Sequence, residues 1–335
     1  MSGDIDCVGG RYRVEEVAGE GGMAVVWRGT DLGRRRPVAL KRIRANGRDP
    51  SDARALFDDE IRVTASVRHP RIVGYIDHGR DDEGPWLALD WIDGPDCLTL
   101  LKARAQPLPI EAVLALGEDL LDALGGLHAP PFAMVHRDVA PANVIVDVHG
   151  RAFLTDLGIA RDLSRPRAKS PGVARGKLGY LAPEVLRGAV HGVRADLYGA
   201  GLVLWEMLAG RRVFSHLPAG ETRTWHFAYG ERPPLREVVA SAPPRVAAVI
   251  DASLALTAAP RAQNAAVFRQ QLREAARRDG VAPSRLALAE CVRAVYSPSE
   301  PEPIRRRAQV RTTILSTPPP ALVAPTDEHM VADVA

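Results

Sequence analysis

The chain has 335 residues, enough to bury a sizeable core in one large domain or two smaller ones. A formal net charge of +3 is too slight to argue for a nucleic-acid or membrane-surface partner, and 46% hydrophobic and 25% charged residues are ordinary for a globular protein. Three widely separated cysteines, Cys7, Cys97 and Cys291, exclude a disulfide framework and a paired metal site, and read as free thiols in a reducing compartment.

Residues 1–10 carry acidic side chains and no apolar h-region, so they do not read as a signal peptide. The longest apolar run, 197–209, is interrupted by Glu206 and is too short to span a bilayer. A soluble, cytoplasmic protein is expected.

Arg11 to Val17 alternates polar and apolar, as a half-buried strand does, and Val25 to Thr30 reads as a second strand. Between them lies Gly19-Glu20-Gly21-Gly22-Met23-Ala24. Backbone without Cβ can lie close over phosphates and offer its N–H groups, although a plain flexible hairpin tip explains the same glycines. A dinucleotide fingerprint is disfavoured because a strand, and no amphipathic helix, follows. Pro37 to Lys41 is the next strand, ending an apolar run on a lysine. A helix is predicted from Ser51 to Val67, with Ser51 as cap and with Leu56, Glu60, Val63 and Val67 on one face. Glu60 is then a charge within an apolar stripe. A buried carboxylate needs a partner, and Lys41 is the natural one.

A strand at Tyr75–Asp77, a turn at 81–85 and a buried strand at Trp86–Ile92 follow. The Asp93-Gly94-Pro95 break marks a boundary between a small β-rich lobe and the rest. Helical patterning begins at Leu98, and residues 109–128 read as a core helix. The segment Val135 to Val146 then places Asp138 and Asn143 five apart in a short polar loop between apolar residues, where a carboxylate and an amide can face one point. Asp156 follows a short strand and precedes Gly158 by two residues, which suits a carboxylate presented at a tight turn. Residues 159–181 are basic and aperiodic, and a loop this long inside a compact domain is often functional. Ala182-Pro183-Glu184 starts a helix. A helix over 196–210 is apolar nearly all round, and its Asp196 can cap it or accept N–H groups from a neighbouring loop. Helices are predicted over 245–256, 263–273 and 284–295, and a Pro-rich disordered tail over 297–335.

Together these segments resemble a protein kinase domain, most of all the serine/threonine kinases of bacteria, from about Tyr12 to Leu272. The resemblance implies an α+β, two-lobed fold with a small β-rich N-lobe carrying one helix and a larger helical C-lobe. It divides the chain into an extension (1–10), a kinase domain (11–275, with N-lobe 11–89, hinge 90–94 and C-lobe 95–275), a helical extension (276–296) and the tail. It also implies ATP and Mg²⁺ (or Mn²⁺) as cofactors, transfer of the γ-phosphate to Ser or Thr of a protein substrate, and self-association as a route to trans-autophosphorylation. By resemblance, Gly19, Glu20, Gly21, Gly22, Met23, Ala24 and Val26 belong to the phosphate loop. Lys41 binds the α- and β-phosphates and pairs with Glu60. Ala39 and Leu89 line the nucleotide pocket, and the hinge backbone of Asp90 to Ile92 reads adenine. Asp138 orients the substrate hydroxyl as base, Asn143 and Asp156 hold the metal, and Glu184 anchors the loop before it, to Arg261. Arg137 beside Asp138 suggests regulation by a phosphorylated loop residue, with Ser164 and Ser170 as candidates.

The sequence departs from the family in four places. Ala24 replaces the third glycine and Leu157 the usual Phe, both mild changes. Ala140 replaces a lysine two residues after the catalytic Asp, and Lys177 stands where a threonine is usual. The missing lysine contacts the γ-phosphate, and its loss is worth on the order of 10²-fold in rate. Lys177 is expected to sit across from Ala140 and supply the lost ammonium. Ala140 and Lys177 favour an alternative, a pseudokinase acting as a nucleotide-binding scaffold. The retained Lys41, Glu60, Asp138, Asn143 and Asp156 argue against it. A small-molecule kinase shares the Asp–Asn spacing but lacks the Ala-Pro-Glu anchor and the long loop before it.

Overall fold

The computed structural model describes residues 7–20, 24–43, 50–157, 161–162, 178–215, 226–230 and 232–297. The expectations for Gly21, Gly22 and Met23, for Ser164, Ser170 and Lys177, and for the tail beyond Ser297 lie outside these residues.

The first lobe is an antiparallel sheet of β1 (Cys7–Val8), β2 (Tyr12–Glu20), β3 (Ala24–Asp31), β4 (Arg36–Ile43), β5 (Tyr75–Asp81) and β6 (Gly84–Asp90), ordered β1-β2-β3-β4-β6-β5. The period-2 alternation of β4 and β6 divides their side chains between two faces. Val38, Leu40, Trp86 and Ala88 join Val8 and Tyr12 in one apolar cluster. Ala39, Leu87 and Leu89 pack with Phe57, Ile61 and Val73 in another, under helix α1 (Pro50–Ser66). Lys41 is two residues beyond Ala39, so it points to the α1 side, where Glu60 is waiting. Two bulges interrupt β2, at Val14/Glu16 and Val17/Gly19. Each adds local twist as the strand approaches its glycine-rich end. The predicted strand at 86–92 stops at Asp90, and the remaining residues form the crossing to the second lobe.

That crossing is tight. A Cβ on Gly94 would stand 1.9 Å from the Val146 carbonyl oxygen, so only glycine fits there. The second lobe opens with α2 (Cys97–Arg104), capped by the Asp96 carboxylate on the Thr99 N–H at 2.8 Å. The core helix α3 (Ile110–His128) packs against α5 (Val193–Ala209), α8 (Ala265–Arg278) and α9 (Arg285–Arg293). Between α3 and α5 the chain forms two small ladders, β8 (Val144–Val146) with β9 (Ala152–Leu154) and β7 (Met134–Val135) with β10 (Arg161–Asp162). Short helices α4 (Pro183–Leu186) and α6 (Leu235–Val238) and the longer α7 (Pro244–Ser253) complete the lobe.

Two expectations change in extent. The helix expected from Ala182 is a single turn, because the chain reverses at Gly188 with φ +92°. The helix expected over 263–273 starts under an Asn264 cap and runs on to Arg278, since Ala275 and Ala276 continue its buried face. No helix among the described residues is long and apolar enough to cross a membrane.

Candidate active site

The loop between β7 and β8 is held from below by one carboxylate. Asp196, in the first turn of α5, is fully buried and accepts four N–H groups. Its Oδ2 takes the His136 amide at 2.7 Å and the His128 imidazole Nε2 at 2.8 Å; its Oδ1 takes the Arg137 amide at 2.9 Å and the His191 Nε2 at 2.9 Å. Although burial opposes its charge, the bonds from His128 and His191 hold its pKa far below the usual carboxylate range. Of the two roles expected for Asp196, the structure shows acceptance from a neighbouring loop. Arg137 adopts φ +72°, a left-handed conformation that is unfavourable for a residue with a Cβ, and the Asp196 bond to its amide helps to hold it there. Helix α5 comes so close beneath this loop that a Cβ on Gly199 would be 2.7 Å from the Val139 carbonyl oxygen.

His136 fixes the next residues. Its Nε2 faces the Thr155 carbonyl at 3.1 Å, and its Nδ1 accepts the Asp138 amide N–H at 3.3 Å. That pattern requires a neutral ring protonated on Nε2, in agreement with burial, which pushes its pKa down. The ring therefore ties the Asp138 backbone to the strand end that precedes Asp156. Asn143 closes the loop: its Nδ2 donates to the Asp138 carbonyl and to the Asp138 carboxylate, both at 2.8 Å, and the Thr155 amide donates to the Asn143 carbonyl at 3.0 Å.

Lys41 reaches this site from the other lobe. Its Nζ pairs with Glu60 of α1 and lies 3.0 Å from Asp156 Oδ1, joining residues 115 apart in sequence. Burial works against the ammonium, but Asp156 and Glu60 outweigh it and raise its pKa, so Lys41 stays charged. Asp156 itself sits at φ +67°, a second left-handed residue at the site. Its carboxylate is 40% exposed, whereas Glu60 and Lys41 are largely enclosed.

The remaining expected residues that are described lie on or beside the strands around Lys41. Gly19 pairs with Val26, and Val26 with Lys41, so the described flank of the glycine-rich turn lies beside the lysine. Glu20 pairs with Val25, and Ala24 with Ile43. Ala39 pairs with Leu89, and both belong to the cluster that includes Ile92. Asp90 turns its carboxylate away to Arg36 at 3.3 Å and donates its amide to Gly74. At the far end of the loop that precedes α4, Glu184 meets Arg261.

Sequence reasoning gave no role to His136, His128 or His191. Their signal is weak: single imidazoles near a helix end or a turn, whose common partner lies as many as 68 residues away. Ala140 is fully buried within the apolar core of the lobe.

Among the described residues no three His, Cys, Asp or Glu side chains form a metal-binding group. A site completed by phosphates needs fewer protein ligands. The Asp156 carboxylate and the Asn143 amide are hard oxygen-bearing groups of the kind Mg²⁺ takes alongside phosphate oxygens. Two carboxylates, Glu60 and Asp156, share the single Lys41 ammonium, and such an excess of negative charge suits a divalent cation.

Residues 12–240 match the protein kinase domain. The probable serine/threonine-protein kinase PknB of Lactococcus lactis is 33% identical over 65% of this chain and 34% of its own length. PrkC of Bacillus subtilis is 33% identical over 62% of the chain and 32% of its own, and PknL of Mycobacterium tuberculosis 34% identical over 61% and 51%. The chain thus spans about a third to about half of the length of these relatives. The crystal structure of the PknI kinase domain of M. tuberculosis superposes with a TM-score of 0.61 at 28% identity, covering 81% of this chain and 98% of that one. The two lobes are those of that fold.

Proposed function

Because the chain belongs to the protein kinase family, we propose that it transfers the γ-phosphate of ATP to Ser or Thr hydroxyls of proteins, in bacterial signalling and with autophosphorylation. The observation that carries this reading is Lys41, shared between Glu60 and Asp156 across two lobes. A buried ammonium with two carboxylates is a poor stabiliser of the fold, since desolvation offsets most of the attraction. It is well suited to receive phosphate oxygens, because its charge and direction are already fixed.

In this reading Glu60 orients Lys41, and Lys41 binds the α- and β-phosphates. Gly19, Glu20, Gly21, Gly22, Met23, Ala24 and Val26 cover the phosphates, Ala39 and Leu89 pack on the adenine, and the backbone of Asp90 to Ile92 reads its edge. Asp138 accepts the proton of the substrate hydroxyl, and the Asn143 bond keeps its carboxylate turned to that task. Asp156 and Asn143 hold the metal. When bound, Mg²⁺ or Mn²⁺ supplies positive charge to the β- and γ-phosphate oxygens as they become more negative. Lys177 supplies a further ammonium in place of the lysine that Ala140 replaces. Asp138, Asn143 and Asp156 are tied together through His136 and Thr155, so their mutual positions are set before any substrate arrives.

Incubation of the purified chain with labelled ATP and Mg²⁺, beside Asp138→Asn, tests the reading. Incorporation on Ser or Thr by the wild type and none by the variant is the expected result. Equal label in both, or none in either, would overturn it. Mapping the phosphosites in the same sample shows which loop residues are modified.

A further inference from the structure

Helix α9 lies beyond the stretch that matches the kinase domain, yet it is firmly fixed. Leu288 and Val292 are fully buried in the core of the second lobe. The Ser284 amide donates to the Glu111 carbonyl at 2.9 Å, its hydroxyl caps the helix on the Ala287 N–H, and Arg285 reaches the buried Asp119 at 2.8 Å. Asp119 also holds the Ala152 amide at 3.0 Å, next to the ladder that leads into the site. After α9 the Val295 and Tyr296 amides both turn back to the Val292 carbonyl, at 3.0 and 2.9 Å. This compact end directs Tyr296 inward, and its hydroxyl donates to Asp93 Oδ1 at 2.8 Å.

Asp93 lies in the crossing between the lobes. Its carbonyl is already held by the Val148 amide at 3.1 Å, and its neighbour Gly94 is pressed against Val146. On the other side, Arg28 of β3 stacks over Trp91 at 5.7 Å and pairs with Glu16 at 3.5 Å. Burial and the bond to Asp93 raise the pKa of the Tyr296 hydroxyl, so it remains a donor. One phenol therefore joins the end of α9 to the crossing.

We infer that α9 and Tyr296 form a latch on the hinge, and that Tyr296 is a positioning residue that sets nucleotide affinity through Asp93. The inference rests on the reading of residues 90–94 as the nucleotide-binding hinge. Torsions in that short segment decide how Leu89 and Ile92 stand relative to Lys41. A hinge already held in one geometry loses less freedom when a nucleotide binds, so affinity rises without a new contact to the ligand.

The test compares the full chain with Tyr296→Phe, Asp93→Ala and the double variant, using ATP with Mg²⁺ in calorimetric titration and in steady-state kinetics. Tyr296→Phe keeps the ring and removes only the donor, so the fold is retained. Loss of one hydrogen bond to a charged acceptor is expected to raise Kd and KM for ATP about fivefold, with kcat within roughly twofold. The double variant is expected to be no weaker than Asp93→Ala alone, because the two residues act through one bond. An unchanged Kd in Tyr296→Phe, whether or not thermal stability falls, overturns the latch, and so do additive effects. A wild type that binds no ATP overturns the kinase reading and the latch together. A wild type that binds ATP as tightly as Tyr296→Phe overturns the latch alone.

Discussion

Glu184 and Arg261 meet in a two-pronged ion pair, Nη1 to Oε1 at 2.7 Å and Nη2 to Oε2 at 2.8 Å, across 77 residues of sequence. The Arg261 side chain is fully buried, and it also donates to the Ala255 carbonyl from Nε at 3.0 Å. One guanidinium thus joins the turn that begins α4 to the segment before α8, in the planar geometry that suits arginine and not lysine.

Removing Arg261 takes away a fully buried guanidinium and leaves the mostly enclosed Glu184 carboxylate, 18% exposed, without this partner. Arg261→Ala is expected to destabilise the chain by roughly 3–5 kcal/mol, and Arg261→Lys by less, since lysine keeps the charge and loses the fork. Urea titration followed by far-UV circular dichroism checks this, and a midpoint for Arg261→Ala equal to that of the wild type contradicts it.

The Lys41 cluster predicts graded effects on chemistry. Lys41→Met removes the ammonium and is expected to lower kcat/KM on the order of 10²-fold or more. Glu60→Gln keeps a hydrogen-bonding group beside Lys41 and is expected to cost about tenfold, through orientation alone. Initial rates with a fixed protein substrate decide, and a Glu60→Gln variant as impaired as Lys41→Met would show that Glu60 does more than orient.

Asp196 carries no chemistry in this scheme, yet its loss is expected to be severe. An amide in its place turns an NH₂ group toward two of the four donors that now converge on the carboxylate. Asp196→Asn is expected to lower kcat by about 10²-fold, through a loosened loop, with a smaller change in KM for ATP. Measuring both constants separates this from a nucleotide-site defect, which would move KM first.

The buried His136 makes stability depend on pH. Its pKa is lowered in the folded chain from the ordinary 6.5, so above that value both states are neutral and pH has no effect through this group. As pH falls through 6.5 the unfolded ring takes up a proton that the folded one resists, and stability is lost. His69, lowered by burial, acts in the same direction. Asp196, whose pKa is depressed, contributes stability that is present above the ordinary carboxylate value of 3.8 and is lost only below it. The two histidines therefore favour a loss of stability between pH 6.5 and 5, whereas Glu206, which burial raises to about 7, works the other way and loses stability as pH rises through that value. The histidine contribution is read from the His136 ring resonance by NMR, and a ring that titrates at 6.5 or above in the folded protein contradicts the assignment.

Much of this was legible in the sequence. Lys41 ends a period-2 strand, and Glu60 interrupts a period-3.6 stripe; two local rules, each breaking at one charge, point to each other. Asp138 and Asn143 announce themselves by spacing. Less legible were the contacts made by residues with no pattern around them. β1 is two residues long and leaves no period to read. His128 and His191 look like ordinary imidazoles until α5 brings Asp196 between them. Tyr296 is one aromatic residue at a helix end, and its partner lies 203 residues earlier. Contacts of that kind are set by tertiary packing and cannot be inferred from neighbours in the chain.

The bulges in β2 have an effect beyond the curvature they give to the strand. β1 pairs only with Tyr12 and Arg13, so among the described residues the outer side of β2 from Val14 to Glu20 has no strand against it. An open edge with regular spacing is a template on which a second molecule can add a strand. Here the spacing is broken twice within six residues, and the stretch carries a charged cluster in which Glu15 and Glu16 pair with Arg13 and Arg28. Another copy of β2 would find neither a continuous ladder nor an uncharged surface, so the strand that carries the glycine-rich turn is protected against edge-to-edge aggregation.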